Sequence, residues 1–483
     1  MRHEEIKSNG AGRNIAFGPF LLLLLFIFML ECSVMKGRIY IKDLKDHVGK
    51  EVIIAGWVDV RRDQGQMVFF DMRDMTGRVQ AVALPSRDEV IEKAKEIRPE
   101  WVLKVTGMVN KRPEKNIKAG VLNGELELEV TMIEVFSQAK ELPFDMSLEG
   151  YNLELTTELD NRALVLRHPK VQAVFKVQET VIDSFREFMK QNMFFEFQAP
   201  CITPAVAEGG SEVFKVDYFD KKAFLTQSPQ LYKQIVMTAF ERVFSVNKIF
   251  RAEPSSTTRH LTEVVSLDAE MGFIDGWEEV RDMAEATVRH MLKQVEVKNS
   301  EHLRLLGATL PVMIDKTPSL SLREVQQKIF EKFGRDVRGE KDTNPQDERE
   351  ICEIIKEETD SDFVFVYAYP TRKKPFYVYP NPEEPEYNEG MDLLCRGLEW
   401  LSGGRRINNY DQLMEHVKLW EMDPNKIKMF LEAFKYGAPP EGGFALGAER
   451  ITMQILGLKN VREASIFPRD MHRIDERLSE EGY

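Results

Sequence analysis

The sequence predicts an α+β protein with two domains: a small amino-terminal barrel and a larger domain built on an antiparallel sheet flanked by helices. Three observations support this prediction. A chain of 483 residues is longer than one ordinary domain. Residues 38–135 carry strand-like apolar segments with little helical period. Later in the chain, helices and strands follow each other without regular βαβ alternation, which favours an antiparallel sheet over a parallel one.

The amino-terminal domain is predicted from short apolar segments separated by turn residues. Strands are expected at residues 52–58, 67–73, 78–82, 101–109 and 125–135, and a hairpin turn at 74–77. A helix is expected only near 89–97. This pattern favours a five-stranded barrel of the oligonucleotide-binding type, and a small β-sandwich is the alternative.

The second domain is predicted from helix periods and helix-start signals. Apolar residues spaced along 171–189 form one helix face, and Ser228-Pro229 and Asp423-Pro424 each place a capping residue before proline. Strands are expected at 242–251 and 264–274, joined by a polar loop, and at 363–369, 375–379 and 391–401. The predicted boundaries are an extension at 1–34, the barrel at 35–140, a linker at 141–168 and the second domain at 169–483.

The composition limits the kinds of partner. The net charge of −13 argues against charge-driven binding of nucleic acid by the whole chain, so such a partner needs a local basic or aromatic surface. The four cysteines include no pair at CxxC spacing. They indicate neither a zinc site nor a disulfide framework, and they fit a reducing compartment.

The first 34 residues differ from the rest of the chain. Residues 14–30 include no charged residue, and 21–25 is a leucine run. This stretch is short for a membrane span. A signal peptide begins with a positively charged region, and the acidic residues Glu4 and Glu5 are atypical of such a region. We expect the folded protein to begin at Met35, with a membrane anchor as the alternative.

Three segments carry candidate chemistry, although the common nucleotide-binding and hydrolase motifs are lacking from the sequence. The first, 250–260, contains two arginines that can fork onto phosphate, and is predicted to close a strand with Arg251 and Glu253 on one face. The second is the glycine-rich segment 442–450, which ends in Arg450. The third, 399–406, offers oxygens of Glu399 and Ser402 to Mg²⁺. Read singly, each could instead be a solvated loop, a packing loop or a strand end.

Taken together, these segments resemble a known family. QNMFFEFQAPCITP, FRAEPSSTTRHLTEV and GGFALGAERITMQILG resemble, in order, the three motifs of class II aminoacyl-tRNA synthetases. A barrel that precedes the catalytic domain is typical of the aspartyl, asparaginyl and lysyl subgroup. AEGGSEVFKVDYF, FLTQSPQLYKQ, SLDAEM and IFPRD resemble the aspartyl enzymes, in particular the short archaeal and eukaryotic type.

The resemblance implies a role for each matching residue. The residues implied to bind ATP are Arg251 at the α-phosphate, Glu253 at the adenine amino group, Arg259 and His260 at the γ-phosphate, and Arg450 against the nucleotide. Glu399 and Ser402 are implied to bind Mg²⁺. The implied aspartate pocket consists of Glu208 (on a loop that closes over substrate), Ser228, Gln230, Lys233, Asp268, Ser402 and Arg406. In the barrel, Phe69 is implied to stack on an anticodon base, with Arg62 and Gln80 at base edges.

The implied function is ATP-dependent activation of L-aspartate and its transfer to tRNA(Asp), by a cytoplasmic homodimer without stable membrane association. Charging of tRNA(Asn) as well is left open. An asparaginyl-tRNA synthetase and an inactive tRNA-binding paralogue are the alternatives. Three residues depart from the family pattern: Val264 after the second motif's Glu263, and Arg405 and Asn408 in the segment that usually reads Gly-Gly-Gln-Arg followed by His.

Overall fold

The computed structural model describes residues 35–118, 120, 122–147, 150–204, 212–254 and 257–474. The extension 1–34 and Glu208 therefore lie outside the described residues. The chain divides into two compact units between Tyr151 and Asn152. Within the described ranges, we find no helix with the length and apolar character needed to span a membrane.

The first unit is a closed five-stranded barrel with strand order β1-β2-β3-β5-β4, as predicted. Its strands are β1 Glu51–Gln64, β2 Met67–Asp74, β3 Gly77–Ala83, β4 Val102–Lys111 and β5 Leu126–Ser137, and its helix is α1 Asp88–Glu96. The side chain of Asp74 closes the predicted hairpin turn, since its Oδ1 accepts from the backbone N–H of Thr76 at 2.7 Å and of Gly77 at 3.2 Å. Alternate residues of each strand point inward and fill the barrel.

The second unit is built on an eight-stranded sheet with order β12-β13-β14-β15-β16-β11-β10-β6. Its strands are β6 Phe195–Glu196, β10 Arg242–Phe250, β11 Glu263–Gly272, β12 Ser319–Ser321, β13 Phe363–Tyr367, β14 Gly390–Cys395, β15 Leu398–Arg406 and β16 Glu441–Gly447. The pairs are antiparallel except at the two edges, where β12–β13 and β6–β10 are parallel. A separate three-stranded sheet contains β7 Ile202–Thr203, β8 Lys215–Tyr218 and β9 Lys221–Leu225.

Helices surround this sheet. They are α2 Leu155–Asp160, α3 Arg162–Val165, α4 Pro169–Gln191, α5 Gln230–Phe240, α6 Trp277–Lys298, α7 Ser300–Leu306, α8 Leu322–Phe333, α9 Pro345–Thr359, α10 Tyr410–Leu419, α11 Lys428–Lys435 and α12 Ala448–Leu456. The helix predicted at 171–189 is confirmed as α4. The two short helices α2 and α3 lie in the segment predicted as a linker.

The two faces of the large sheet differ in chemistry, and this difference positions the site. On β11, Leu267, Ala269 and Met271 belong to the main core cluster, which also includes residues of α4, α6 and α12. Because side chains alternate along a strand, Asp268 and Glu270 lie on the opposite face. The sheet therefore has one apolar face under helices and one polar face.

Four sequence predictions of local structure are wrong in detail. The strand predicted at 391–401 is two strands joined at Arg396 and Gly397, whose φ angles of 48° and 78° form a tight hairpin turn. Residues 375–379 form no strand; Val378 makes only an isolated bridge. The strand predicted to 251 ends at Phe250, so Arg251 lies in the loop. Asp423 caps a short 3₁₀ turn, Pro424–Ile427, that precedes α11.

Candidate active site

The polar face of the sheet gathers residues from four neighbouring strands. Asp268 of β11 is paired with Ala445 of β16, Ala445 with Ser402 of β15, and Ser402 with Asp392 of β14. These four positions form one row across the sheet. Gly443, Ala445 and Gly447 of β16 on this face are small, which leaves room for a ligand between the flanking polar side chains.

A cleft on this face is lined by all six residues that the resemblance implies for ATP. They are Arg251, Glu253, Arg259, His260, Glu399 and Arg450, and Ser402 lines the same cleft. Ile249, Val264 and Trp400 supply apolar walls. A flat aromatic ligand with a polyanionic tail fits this combination of apolar walls and cationic side chains. The Val264 departure therefore lies in the wall of the cleft.

The loop between β10 and β11 positions three of these side chains close together. Arg251 Nη1 lies 4.0 Å from Glu253 Oε1, and His260 Nε2 lies 3.8 Å from Glu253 Oε2. His260 Nδ1 is hydrogen-bonded to the Thr257 hydroxyl at 2.6 Å. Burial lowers the pKa of His260, although the Glu253 carboxylate opposes this shift. The net effect favours the neutral imidazole of His260.

A residue that the sequence did not predict holds Arg259. Glu348 of α9 accepts a hydrogen bond from Arg259 Nη1 at 3.1 Å. Burial raises the pKa of Glu348 to about 7, although Arg259 opposes the shift. Nothing in the sequence near Glu348 indicated the contact, because the two residues are 89 positions apart.

The predicted metal pair, Glu399 and Ser402, lies on one face because of a β-bulge. Glu399 and Ser402 are three residues apart, so a regular strand would place them on opposite faces. The register between β14 and β15 shifts between Leu393 and Leu394, which leaves Trp400 as the extra residue. Arg450 Nη1 donates to the backbone carbonyl of Glu399 at 3.1 Å and lies 3.6 Å from its carboxylate.

Asp392 is a third oxygen donor beside this pair, and the sequence analysis missed it. It is paired with Ser402, is nearly buried, and binds Lys374 Nζ through both carboxylate oxygens at 2.9 and 2.7 Å. Burial, and then the Asp392 charge, raise the pKa of Glu399. The two carboxylates therefore lie close enough to repel each other, which a cation between them would relieve.

The residues implied for the aspartate pocket form a buried cluster of charged side chains on the same face, which contains two cations. Lys233 of α5 is 1% exposed, and its Nζ lies 3.3 Å from Asp268 Oδ1 and 3.1 Å from Glu270 Oε2. Arg406 donates through Nε to Glu270 Oε1 at 3.0 Å and through Nη2 to the carbonyl of Gly443 at 3.0 Å. Glu270 therefore bridges both cations. The signal for it was present in SLDAEM, since Asp268 and Glu270 share a face by the two-residue period.

Two further residues implied for the amino-acid pocket lie at its edge. Gln230 is buried and donates through Nε2 to Gln234 Oε1 at 2.9 Å. Ser228 Oγ accepts from the backbone N–H of Gln230 at 3.2 Å at the start of α5. Ser228 also lines a separate apolar pocket with Leu231 and Phe430. Its side chain makes no hydrogen bond to Lys233 in the part of the chain that the structure describes.

Two departures from the family pattern lie away from the buried pocket. Arg405 neighbours Arg406 in β15 and so points to the other face, where it lies 3.5 Å from Glu389 and over the ring of Tyr379. Asn408 donates to the carbonyl of Ala438 at 3.3 Å. Neither side chain contacts Lys233 or Asp268 among the described residues.

The three residues implied for anticodon binding line one cleft of the barrel. Arg62 of β1 is paired with Phe69 of β2, and Gln80 of β3 follows in the same cleft, together with Arg112 and Lys118. Arg62 Nη2 lies 3.2 Å from Asp71 Oδ1, with nearly half of the arginine side chain exposed. An aromatic ring between exposed cations is the arrangement that binds unpaired bases.

The two units match two family descriptions. Residues 154–471 match tRNA synthetases class II (D, K and N), and residues 52–136 match the OB-fold nucleic acid binding domain. The chain belongs to the class II tRNA synthetases of the D, K and N group.

Among named relatives, the aspartate–tRNA(Asp/Asn) ligase of Thermus thermophilus is 42% identical over 90% of this chain and 99% of its own length. The aspartate–tRNA(Asp) ligase of Pyrococcus horikoshii is 38% identical over 88% of this chain and 96% of its own length. Among solved structures, the asparaginyl-tRNA synthetase of Pyrococcus horikoshii with asparaginyl-adenylate aligns with a TM-score of 0.83 at 32% identity, covering 91% of this chain and 100% of that one.

Proposed function

We propose that this chain is an aspartate–tRNA ligase, which activates L-aspartate with ATP and transfers it to tRNA(Asp). One observation supports this most directly: a buried cluster with two cations, Lys233 and Arg406, shares a sheet face with the cleft lined by the six candidate ATP residues. Two neighbouring cations beside that cleft suit a side-chain carboxylate. The names of the relatives agree with this assignment.

The pocket chemistry favours aspartate over asparagine. The carboxylate of aspartate can accept from Lys233 and Arg406, whereas an amide NH₂ would meet cationic donors and leave them unpaired. Such a mismatch between buried polar groups can give discrimination of about 10⁴-fold. Asp268 and Glu270 hold the two cations in place before substrate arrives.

The reaction requires positioning and charge stabilisation rather than a protein nucleophile. The α-carboxylate of aspartate attacks the α-phosphate of ATP, and pyrophosphate leaves. Arg251 and Arg450 are placed to stabilise the charge that develops on the transferred group. Arg259 and His260 are the candidates for the γ-phosphate. The terminal ribose hydroxyl of tRNA then attacks the aspartyl-adenylate, and AMP leaves.

Class II synthetases generally use Mg²⁺, and the cleft fits such an ion. Glu399, Ser402 and Asp392 supply carboxylate and hydroxyl oxygens, which are the ligands that Mg²⁺ prefers. Within the described ranges, no group of three or more His, Cys, Asp or Glu side chains is arranged to hold a metal ion by itself, so phosphate oxygens and water would complete the shell. When bound there, the ion would neutralise phosphate charge and orient the triphosphate.

The barrel is the candidate anticodon-binding unit. Phe69 would stack on one base, with Arg62 and Gln80 at base edges. We infer a homodimer from the resemblance of 188–204 to the first class II motif. The relatives differ in their named tRNA substrates: some are named for tRNA(Asp/Asn) and some for tRNA(Asp) alone. The charging of tRNA(Asn) by this chain therefore needs a direct assay.

Two assays test this proposal. Amino-acid-dependent ATP–pyrophosphate exchange should proceed with aspartate and fail with asparagine. Charging of separate tRNA(Asp) and tRNA(Asn) transcripts with labelled aspartate then defines the tRNA range. Exchange with asparagine but not aspartate would overturn the proposal in favour of an asparaginyl enzyme, to which the aligned solved structure belongs. Exchange with neither would favour an inactive paralogue.

A further inference from the structure

The amino-acid pocket contains a third carboxyl group, which the proposed chemistry does not use. Glu441, the first residue of β16, is fully buried. Its Oε1 accepts a hydrogen bond from Gln234 Nε2 at 2.7 Å. Its Oε2 is also buried, with no hydrogen-bond partner in the described part of the chain. Because an ionised carboxylate with an unpaired buried oxygen is costly, this environment favours the protonated acid.

A second carboxyl oxygen in the same condition belongs to a neighbour. Glu270 Oε2 is buried and accepts no hydrogen bond within the described residues, although it lies 3.1 Å from Lys233 Nζ. In the ladder between β11 and β16, Glu270 is paired with Gly443, and Gly272 with Glu441. Glu270 and Glu441 are therefore diagonal neighbours on one face of the sheet.

Gly443 has no side chain, and this leaves room for the Glu270 carboxylate beside Glu441. A Cβ added to Gly443 would overlap the Glu270 carboxylate. The Glu270 carboxyl group thus occupies the position that a side chain at 443 would fill, two residues along the strand from Glu441. Glu441 Oε2 has no partner in the described part of the chain, and Glu270 Oε2 accepts no hydrogen bond there, so one proton between the two carboxyl groups would supply the missing hydrogen bond.

The charges around the pocket lead to the same conclusion. Helix α5 contributes Lys233, β11 contributes Asp268 and Glu270, β15 contributes Arg406, and the ring of Tyr377 lies 5.5 Å from the Arg406 guanidinium. With Glu441 neutral, two cations face two anions. Burial, reinforced by the Glu270 charge, raises the pKa of Glu441 well above its usual range. An ionised Glu441 would make the pocket anionic before a carboxylate substrate entered.

We propose that Glu441 is protonated and shares its proton with Glu270, and that the single negative charge of this pair, in place of two, lets the pocket admit the side-chain carboxylate of aspartate. Glu441 is then a positioning residue that acts through the charge of Glu270, Lys233 and Arg406. This role rests on the proposed function. The protonation state itself does not, so the two can be tested separately.

The first test is spectroscopic and uses ligand-free protein. A protonated carboxyl group has a C=O stretching band that carboxylates lack, so the infrared difference between wild type and Glu441→Gln at neutral pH should contain one such band. Glu270→Gln should remove the same band, because Glu441 would ionise to replace the lost anion beside Lys233 and Arg406. Glu285→Gln, a half-buried glutamate on α6 that binds Arg289, is the matched control and should retain it.

A difference spectrum without an acid band would overturn the proposal, and a band that persists in Glu270→Gln would overturn the sharing. If Glu441→Gln fails to fold, the comparison of wild type with Glu270→Gln still decides, because the shared proton requires both carboxyl groups.

The second test is kinetic. Glutamine is a neutral isostere of the protonated acid, so Glu441→Gln should keep kcat/KM for aspartate within about threefold, the scale of one altered hydrogen bond. The KM for ATP should be unchanged, and asparagine should remain inactive. An ionised Glu441 predicts instead that its removal lowers the KM for aspartate by about tenfold or more, since a like charge is lost beside the substrate. Absence of aspartate activation in the wild type would reject the proposed function while leaving the infrared result valid.

Discussion

The nucleotide cleft and the amino-acid pocket lie on the same polar sheet face, yet they hold their cations in opposite ways. In the cleft, the side chains of Arg251 and Arg450 are 47% and 25% exposed. In the pocket, those of Lys233 and Arg406 are 1% and 6% exposed. Arg251 and Arg450 lie 4.0 and 3.6 Å from the carboxylates of Glu253 and Glu399, whereas Arg406 makes a direct hydrogen bond to Glu270 at 3.0 Å.

This difference follows from what each region would bind. A triphosphate carries several charges and can neutralise exposed arginines itself, so the protein need not pair them. The charge of a single carboxylate cannot offset the desolvation free energy of two buried cations. Asp268 and Glu270 must therefore offset it in the ligand-free protein. We therefore expect mutations in the cleft to affect activity alone, and mutations in the pocket to affect both activity and stability.

Replacement of Lys233 should have the largest effect. Lys233→Met should abolish aspartate-dependent exchange without restoring asparagine, because the carboxylate loses a cationic partner. It should also lower the free energy of unfolding by about 3–5 kcal/mol, since Asp268 and Glu270 lose a buried partner. Denaturant unfolding and exchange assays measure the two effects. Lys293→Met on the exposed surface of α6 is the control. A stable Lys233→Met protein would contradict the contrast between pocket and cleft.

Replacement of the cleft arginines should separate activity from stability. Arg251→Ala and Arg450→Ala should each reduce ATP–pyrophosphate exchange by at least about 10²-fold, the scale of one lost preorganised donor. The unfolding midpoint should stay close to that of the wild type, because both side chains are partly exposed. Arg338→Ala, whose arginine pairs locally with Asp336, is the control for exchange. Near-normal exchange in either cleft variant would reject its assignment to ATP.

The sequence predicted the parts of the fold and site that depend on local pattern. The barrel strands alternate apolar and polar residues, and the three candidate segments together carry their glycines, arginines and acids in short runs. The pair Lys233 and Asp268 was also expected, and the structure places them 3.3 Å apart. These features are local, or belong to a pattern that the family resemblance carries.

The parts that escaped prediction depend on irregular backbone or on distant contacts. The hairpin at Arg396 and Gly397 interrupts an apolar run, so the run was interpreted as one strand. The bulge at Trp400 that brings Glu399 beside Ser402 has no signal in residue periodicity. Glu348 reaches Arg259 from another helix, a contact that only the tertiary fold creates.

A buried acid beneath the cleft gives a pH test. Glu449 accepts from the backbone N–H of Val265 at 3.0 Å, and burial raises its pKa from 4.5 to about 7. Between these two values the folded state holds more protons than the unfolded state, so the free energy of unfolding should fall as pH rises through this window and level off above it. Glu449→Gln should lose this contribution, which is at most about 3 kcal/mol.

Denaturant unfolding of both proteins from pH 4.5 to 8 measures this slope. The wild type should lose stability relative to Glu449→Gln as the pH rises. A stability difference that is constant over the range, or that changes in the opposite direction, would show that Glu449 titrates normally.

The smallest expected effect comes from a change in the barrel, which leaves the nucleotide cleft and the amino-acid pocket unaltered. Phe69 is partly exposed in the cleft between Arg62 and Gln80, whereas its neighbour Phe70 is fully buried in the barrel core. Phe69→Ala should weaken tRNA charging by about 1–3 kcal/mol, the cost of one lost base stack, with unchanged pyrophosphate exchange. Phe70→Ala is the matched control and should destabilise the barrel by about 3–5 kcal/mol. If Phe69→Ala unfolds the barrel as Phe70→Ala does, Phe69 is a core residue, and the base-stacking role is wrong. A loss in charging with an intact barrel and full exchange would instead locate tRNA recognition on this face, separate from the cleft and the pocket that activate the amino acid.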